Sequence, residues 1–243
     1  MAAMEEGECE ILVAEDWGLI MIKNIALGVV IALTASAATH AQSEKYTRKL
    51  LFENDQLRAV EYVIQPSEQL SLQSHAPYLF FCVTPVVATL IFSNGRRVSA
   101  TFKVDDARWY ESPIVGVANT AKSEAKFLVL ELKKPAPQNH GQVPADDGTK
   151  VAPDVYKMLY ENDRVRVILV ATKPGQKTPM HSHPGSTFRY SMADTKVRLT
   201  MPDGTNRELQ NEAGVGRWTE LPTRHAHENI GTTPGHALLI EIK

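Results

Sequence analysis

Most of this sequence is written twice, and that repeat limits the fold more than any other feature. KLLFENDQLRAV (49–60) matches KMLYENDRVRVI (157–168). Pro66 then meets Pro174, Ser74 meets Ser182 and His75 meets His183. Further on, SNGRR (93–97) faces PDGTN (202–206), Trp109 faces Trp218, and FLVLELK (127–133) faces ALLIEIK (237–243). The spacing drifts only slightly, as small loop insertions cause. A block of this size used twice in 243 residues means two small domains in tandem. The segment between the copies, KKPAPQNHGQVPADDGTKVAPD, has the Pro, Gly and Asp content of a linker. The expected layout is a first domain over 42–133, a linker over 134–155 and a second domain over 156–243.

Each copy reads as all-β. Residues 57–64 and 165–172 are rich in β-branched and apolar side chains. Asn94-Gly95 and Asp203-Gly204 are hairpin signals, because such pairs accept the positive φ of a type I′ turn. Residues 87–92 and 196–201 lead into those turns as strands, and 127–132 and 237–242 close the units. No stretch shows a helical period. Many short strands with turn punctuation point to a sandwich or jelly roll in each copy.

The N-terminus has a different character. MIKNIALGVVIALTASAATHA, from Met21, carries Lys23, an apolar run over 25–33 and small residues up to Ala41. That is the layout of a secretory signal peptide, with cleavage expected after Ala41. Residues 1–20 are acidic and fit no signal n-region, so Met21 is the expected start and 1–20 an extension ahead of it. The apolar run is shorter than the roughly 20 residues of a membrane span, so the mature protein is expected in the periplasm or secreted, with no membrane association after cleavage. Cys9 lies in the removed part, which leaves Cys82 as the mature thiol, placed in the apolar run LFFCV as a small buried hydrophobe. A net charge of −2 gives no field for nucleic acid.

The chemistry lies in the second copy. His181 and His183 are two apart, so on a strand both rings share a face. His225, His227 and Asn229 alternate in the same way, and two antiparallel strands can bring both faces to one ion. A surface pair or two satisfied core histidines is the plainer reading of His-x-His alone. His236 opens the last strand outside this pattern, and His140 lies in the linker.

These residues resemble the cupins, whose first motif is Gly, five residues, then His-x-His, and whose second is Pro, then His, three residues, then Asn. Here Gly175 precedes His181-Ser182-His183, and Pro222 precedes His225 and Asn229. The opening ENDRVRV and closing LLIEIK are similar to the small cupins grouped with beta-alanine degradation proteins. The resemblance implies two tandem jelly-roll barrels, a bicupin, with His181, His183 and His225 as metal ligands and His227 as a further candidate. The family's glutamate should follow His183, but Thr187 and Phe188 stand there. A site of three neutral histidines results, as in cupin thiol and diketone dioxygenases, suited to Fe, Mn, Ni, Cu or Zn. The first copy has Gln73 for the first histidine, keeps His75, and has Gly116 where the third belongs. It is expected to bind no metal and to serve by packing, by stabilising a homodimer or by holding an organic ligand.

Fold does not set function in so diverse a family. One expectation is a metal-dependent, dioxygenase-like enzyme acting on a small molecule, with Arg189 or Tyr190 holding the substrate if either faces inward. The alternative is a cupin that binds or senses a small molecule or metal without turnover. A third is a structural protein that binds metal incidentally.

Overall fold

The structure, a computed structural model, describes residues 46–72, 77–134, 143–220 and 223–243. The signal segment, Gln73, His75, His140 and Pro222 lie outside these residues. The first copy forms β1 (Tyr46–Glu53), β2 (Leu57–Ile64), β3 (Gln69–Ser71), β4 (Tyr78–Cys82), β5 (Val86–Phe92), β6 (Arg97–Phe102), β7 (Ala107–Tyr110), β8 (Ile114–Asn119) and β9 (Ala125–Leu132). A single helical turn, α1 (Gly148–Val151), leads into the second. There the strands are β10 (Tyr156–Glu161), β11 (Val165–Thr172), β12 (His181–His183), β13 (Thr187–Ser191), β14 (Thr195–Thr200), β15 (Asn206–Asn211), β16 (Gly216–Thr219), β17 (Thr223–Asn229) and β18 (Gly235–Ile242).

The repeat is reproduced strand for strand. One sheet of the first copy runs β1-β2-β9-β4-β7 and its counterpart runs β10-β11-β18-β13-β16. The other sheet runs β3-β8-β5-β6, and its counterpart β12-β17-β14-β15. All the pairings are antiparallel, and each copy is a jelly-roll barrel of two facing sheets. Even the irregularities recur: the ladder slips between Leu50 and Phe52 in β1 and between Met158 and Tyr160 in β10.

Local chemistry explains the repeated residues. In END, Asn54 Oδ1 accepts from the backbone N–H groups of Gln56 and Leu57, both at 2.8 Å. Asn162 Oδ1 does the same for Arg164 and Val165, both at 2.9 Å. These side chains close the β1–β2 and β10–β11 hairpins as Asx turns. The Asn-Gly and Asp-Gly hairpins form, but not as type I′ turns. Only Gly95 (φ +80) and Gly204 (φ +84) take positive φ there. The Gly95 N–H donates to the Phe92 carbonyl and the Gly204 N–H to that of Met201. Each is therefore a type I turn followed by a left-handed glycine that bulges the hairpin, a geometry that also matches the strand twist.

Alternation in the strands divides apolar side chains between two destinations. In β2, Val60, Tyr62 and Ile64 fill the first barrel, while Leu57 and Ala59 face the other way. Those outward residues, with Leu79, Phe81, Leu128 and Leu130, pack against Val165, Val167, Phe188, Tyr190, Leu238 and Ile240 of the second barrel. Both five-stranded sheets are thus apolar on both faces, and the barrels join through them. The junction carries reciprocal contacts. Phe52 stacks on Trp218 at 5.2 Å between ring centroids, and its repeat partner Tyr160 stacks on Trp109 at 6.4 Å. Reciprocity of this kind is the mark of a two-fold interface between like units.

Candidate metal centre

The first two histidines stand on β12 and the third on β17. His181 lies directly opposite His225 in this antiparallel ladder, and His183 lies opposite Thr223. All three rings point into the barrel, with centroid separations of 5.0 Å for His181–His183, 4.8 Å for His181–His225 and 5.3 Å for His183–His225. One ring nitrogen from each lies within 4.8 Å of the others. His181 is 0% exposed and His183 5%. Tyr156 packs against both rings.

The hydrogen bonds leave the right atoms free. His181 Nδ1 sits 2.9 Å from the Pro179 carbonyl, to which it donates, and its Nε2 is buried without a partner. His183 Nδ1 sits 2.7 Å from Glu241 Oε1. Both rings therefore turn a lone pair inward at Nε2. Burial first, then repulsion among the cluster, pulls His225 down to about 3; burial pulls His181 and His227 down to about 4. At neutral pH these imidazoles are uncharged and available as ligands. Three imidazole nitrogens, one of them an orphaned buried atom, fit a divalent transition ion.

Glu241 is the functional residue that motif reading missed. It comes from β18, and its other oxygen accepts from Arg166 Nη1. Arg166 in turn grips Asp147 through Nη1 at 2.7 Å and Nη2 at 2.8 Å. Arg166 is 2% exposed, and Asp147 and Glu241 are each 1%. Burial opposes the Asp147 charge, but Arg166 and Thr149 outweigh it and hold the carboxyl below its usual range. Asp147, Glu241 and, at longer range, Glu161 thus share one guanidinium close to His183. The missing motif glutamate is thus answered by a carboxylate placed behind a ligand, which fixes the tautomer of His183 and strengthens it as a donor. A signal existed: both copies keep an arginine facing a glutamate in these strands, Arg58 with Glu131 and Arg166 with Glu241.

A cavity of about 280 Å³ opens from the histidines and is lined by His183, His225, His227, Arg189 and Asn211 among others. His227 lies on the same face of β17 as His225 but outside the three-nitrogen group; its Nδ1 is buried without a partner. Arg189 faces the cavity and donates to Asn211 Oδ1 at 2.6 Å. Tyr190, one residue on, points to the opposite face, where its hydroxyl donates to Glu61 between the barrels. Strand alternation thus keeps Arg189 and removes Tyr190 from the site. Phe188 goes with Tyr190 into the barrel junction, while Thr187 lines the cavity. Asn229 is a clip: its amide donates to the Thr233 carbonyl at 2.9 Å and its oxygen accepts from Gly231 at 3.0 Å. Asn119 repeats that clip in the first copy.

No family model and no curated protein matches the chain. Solved structures do. A variant of Bacillus subtilis oxalate decarboxylase aligns over 81% of this chain and 72% of its own, with a TM-score of 0.55 and 15% identity. By fold, the chain is a bicupin. A cupin domain from Bordetella pertussis is 26% identical over 37% of the bicupin and 92% of its own chain, with a TM-score of 0.35. A cupin 2 conserved barrel protein from Leptotrichia buccalis covers 82% of the bicupin and 89% of its own chain at a TM-score of 0.48 and 12% identity.

The core of the first barrel contains a cluster of aromatic rings. Phe80 stacks on Phe127 at 4.4 Å and meets Phe102 at 5.4 Å, with Tyr62 beyond. Cys82 is buried in that core and its thiol is pushed up to about 12. The ladder also corrects a register. Val117 pairs with Leu90 as His227 pairs with Leu199. A slip between Ile91 and Phe92 then turns Val115 outward, 37% exposed, and brings Ile114 into the core. Gly116 therefore faces away from the barrel interior, and Val115 and Ile114 occupy the region of the third histidine. A one-residue bulge changes which side chain points inward, and the sequence offset alone does not reveal it.

Proposed function

We propose that this bicupin is an exported metalloenzyme whose second barrel acts on a small molecule in a dioxygenase-like reaction. The observation that carries the reading is the convergence of His181, His183 and His225, the latter two lining an open cavity, with the His181 Nε2 lone pair buried and unshared. A bound divalent ion would supply Lewis acidity and, if redox-active, electron transfer to O₂. The protein's own part is to hold three imidazole nitrogens in place, to set a carboxylate behind His183, and to surround the substrate with the mainly apolar walls of the barrel. Bacillus subtilis oxalate decarboxylase carries Mn(II) centres, which makes manganese the first of the five candidate ions to test. The segment 21–41 supports export to the periplasm or beyond.

One observation favours binding without turnover: among the described residues lining the cavity there is no carboxylate. A general base other than His227 is then lacking. Metal analysis of protein purified without a histidine-rich tag decides the first step. About one ion per chain is expected, with His181→Ala and His225→Ala each losing most of it while keeping the β-sheet circular dichroism of the wild type. Equal metal in all three proteins would sink the assignment. Oxygen uptake by the loaded protein with chelating substrates then separates enzyme from binder.

A further inference from the structure

Three arginines line the cavity: Arg189, Arg207 and Arg217. Arg189 on β13 lies directly opposite Arg217 on β16 in the antiparallel ladder, so two like charges are cross-strand neighbours on one face. Such a pair is destabilising unless something of opposite sign offsets it. Among the described residues none of the three arginines forms a salt bridge, although most other arginines of this barrel do: Arg166 with Asp147, Arg198 with Glu208 and Arg224 with Asp146. Arg189 has a neutral partner in Asn211, and Arg217 has the Gln210 carbonyl. Burial, with Arg217 adding to it, pulls the Arg189 guanidinium below its ordinary pKa, against the opposing pull of Tyr156. Arg189 is also close enough to His225 and His227 to depress both of them. The positive charge thus runs along the cavity wall toward the histidines, and no Asp or Glu is among the described residues that line the cavity; the Glu241 carboxylate lies behind His183.

We infer that the cavity takes a small organic carboxylate, its anionic end held by Arg189 and Arg217 and a second oxygen donor turned toward the three histidines. The planar guanidinium fork suits bidentate contact with a carboxylate. Arg207, exposed on β15, adds attraction on the way in. The body of the ligand would lie against Val197, Leu199, Leu209 and Leu239. A volume of about 280 Å³ is at the lower end of small-molecule sites, which limits the ligand to a few carbons beyond its carboxylate. The carboxylate half of the inference rests on the arginines alone; the orientation of the second donor rests on the metal reading above.

The test uses a matched pair, 2-hydroxybutyrate and 2-hydroxybutyramide, which share the hydroxyl and carbonyl and differ in charge. Both are titrated calorimetrically into the whole protein, with and without Mn(II), and metal content is measured on the same samples. The acid should bind about 10–100-fold more tightly than the amide, the range that charge-assisted hydrogen bonds give. Arg189→Met should erase that preference with metal content unchanged. If Arg189→Met does not fold, Arg217→Gln, at an exposed strand position, should reduce the preference several-fold. A preference that persists without Mn(II), in protein that never loads metal, supports the anion site while removing the metal reading. Equal affinity for acid and amide in both states overturns the inference, as does a preference that neither substitution alters.

Discussion

At the scale of single residues, the site depends on atoms that no motif contains. Glu241 holds His183 by a 2.7 Å contact and is itself held by Arg166. Replacing Glu241 with Gln keeps the shape but removes the charge. Partners of this kind are worth about 10–100-fold in metal affinity, so chelator competition should show a loss of that size in Glu241→Gln. Unchanged affinity would mean that the carboxylate serves only the Arg166 pair. Proton linkage gives a second expectation. His225 folds with a pKa of about 3, and His181 and His227 of about 4, whereas an unfolded histidine titrates near ~6.5. The folded pKa values are depressed, so below that pH the unfolded chain takes up protons that the folded chain refuses. Metal-free protein should therefore lose stability as pH falls from about 6.5 toward 3. Melting of chelator-treated protein at pH 7.5 and pH 5 checks this, and a triple variant with His181, His225 and His227 changed to Gln should show a weaker dependence.

At the scale of elements, the two copies of one turn have been solved differently. Gly175, the glycine of the first histidine motif, takes φ +75, and its N–H donates to the Asn229 carbonyl at 2.8 Å. Ser67 holds the same place in the first copy, with φ +63 and its N–H on the Asn119 carbonyl at 3.1 Å. A left-handed conformation crowds any Cβ against the following carbonyl, and glycine escapes that cost. Ser67→Gly should stabilise the protein by about 1 kcal/mol, read as a higher urea midpoint at unchanged slope. No gain would show that the turn contacts of Ser67 offset its backbone strain. The glycine of the motif thus relieves strain in the turn that delivers β12.

At the scale of the whole molecule, the barrels share a core at their junction. Leu57, Leu79 and Leu128 of the first barrel meet Leu238, Ile240 and Val167 of the second. Leu238 is 0% exposed and its side chain lies at this junction, away from the metal site. Leu238→Ala should cost roughly 2–5 kcal/mol and lower the unfolding of both barrels together, in one calorimetric transition. Two separated transitions, with the first barrel unmoved, would show that the halves fold independently. The first barrel, with Phe80, Phe102 and Phe127 in its core, gives the second an apolar sheet to pack on.

The sequence by itself determined the duplication, the all-β class, several of the strand positions and the three histidines. These follow from local rules: β-rich runs mark strands, and side chains two apart share a face. Strands at 57–64 and 165–172 form at those bounds because they are continuous runs of β-branched and apolar residues, buried on both faces. Tertiary structure alone decided which way Arg189 and Tyr190 point, because both faces of β13 are covered, one by the cavity and one by the other barrel. It alone placed Glu241 behind His183 and Asp147 against Arg166, since those contacts join positions far apart in the chain. It alone showed that a bulge removes Gly116 from the place of the third histidine. Periodicity reports that a strand has two faces, and only the assembled barrels say what lies against each.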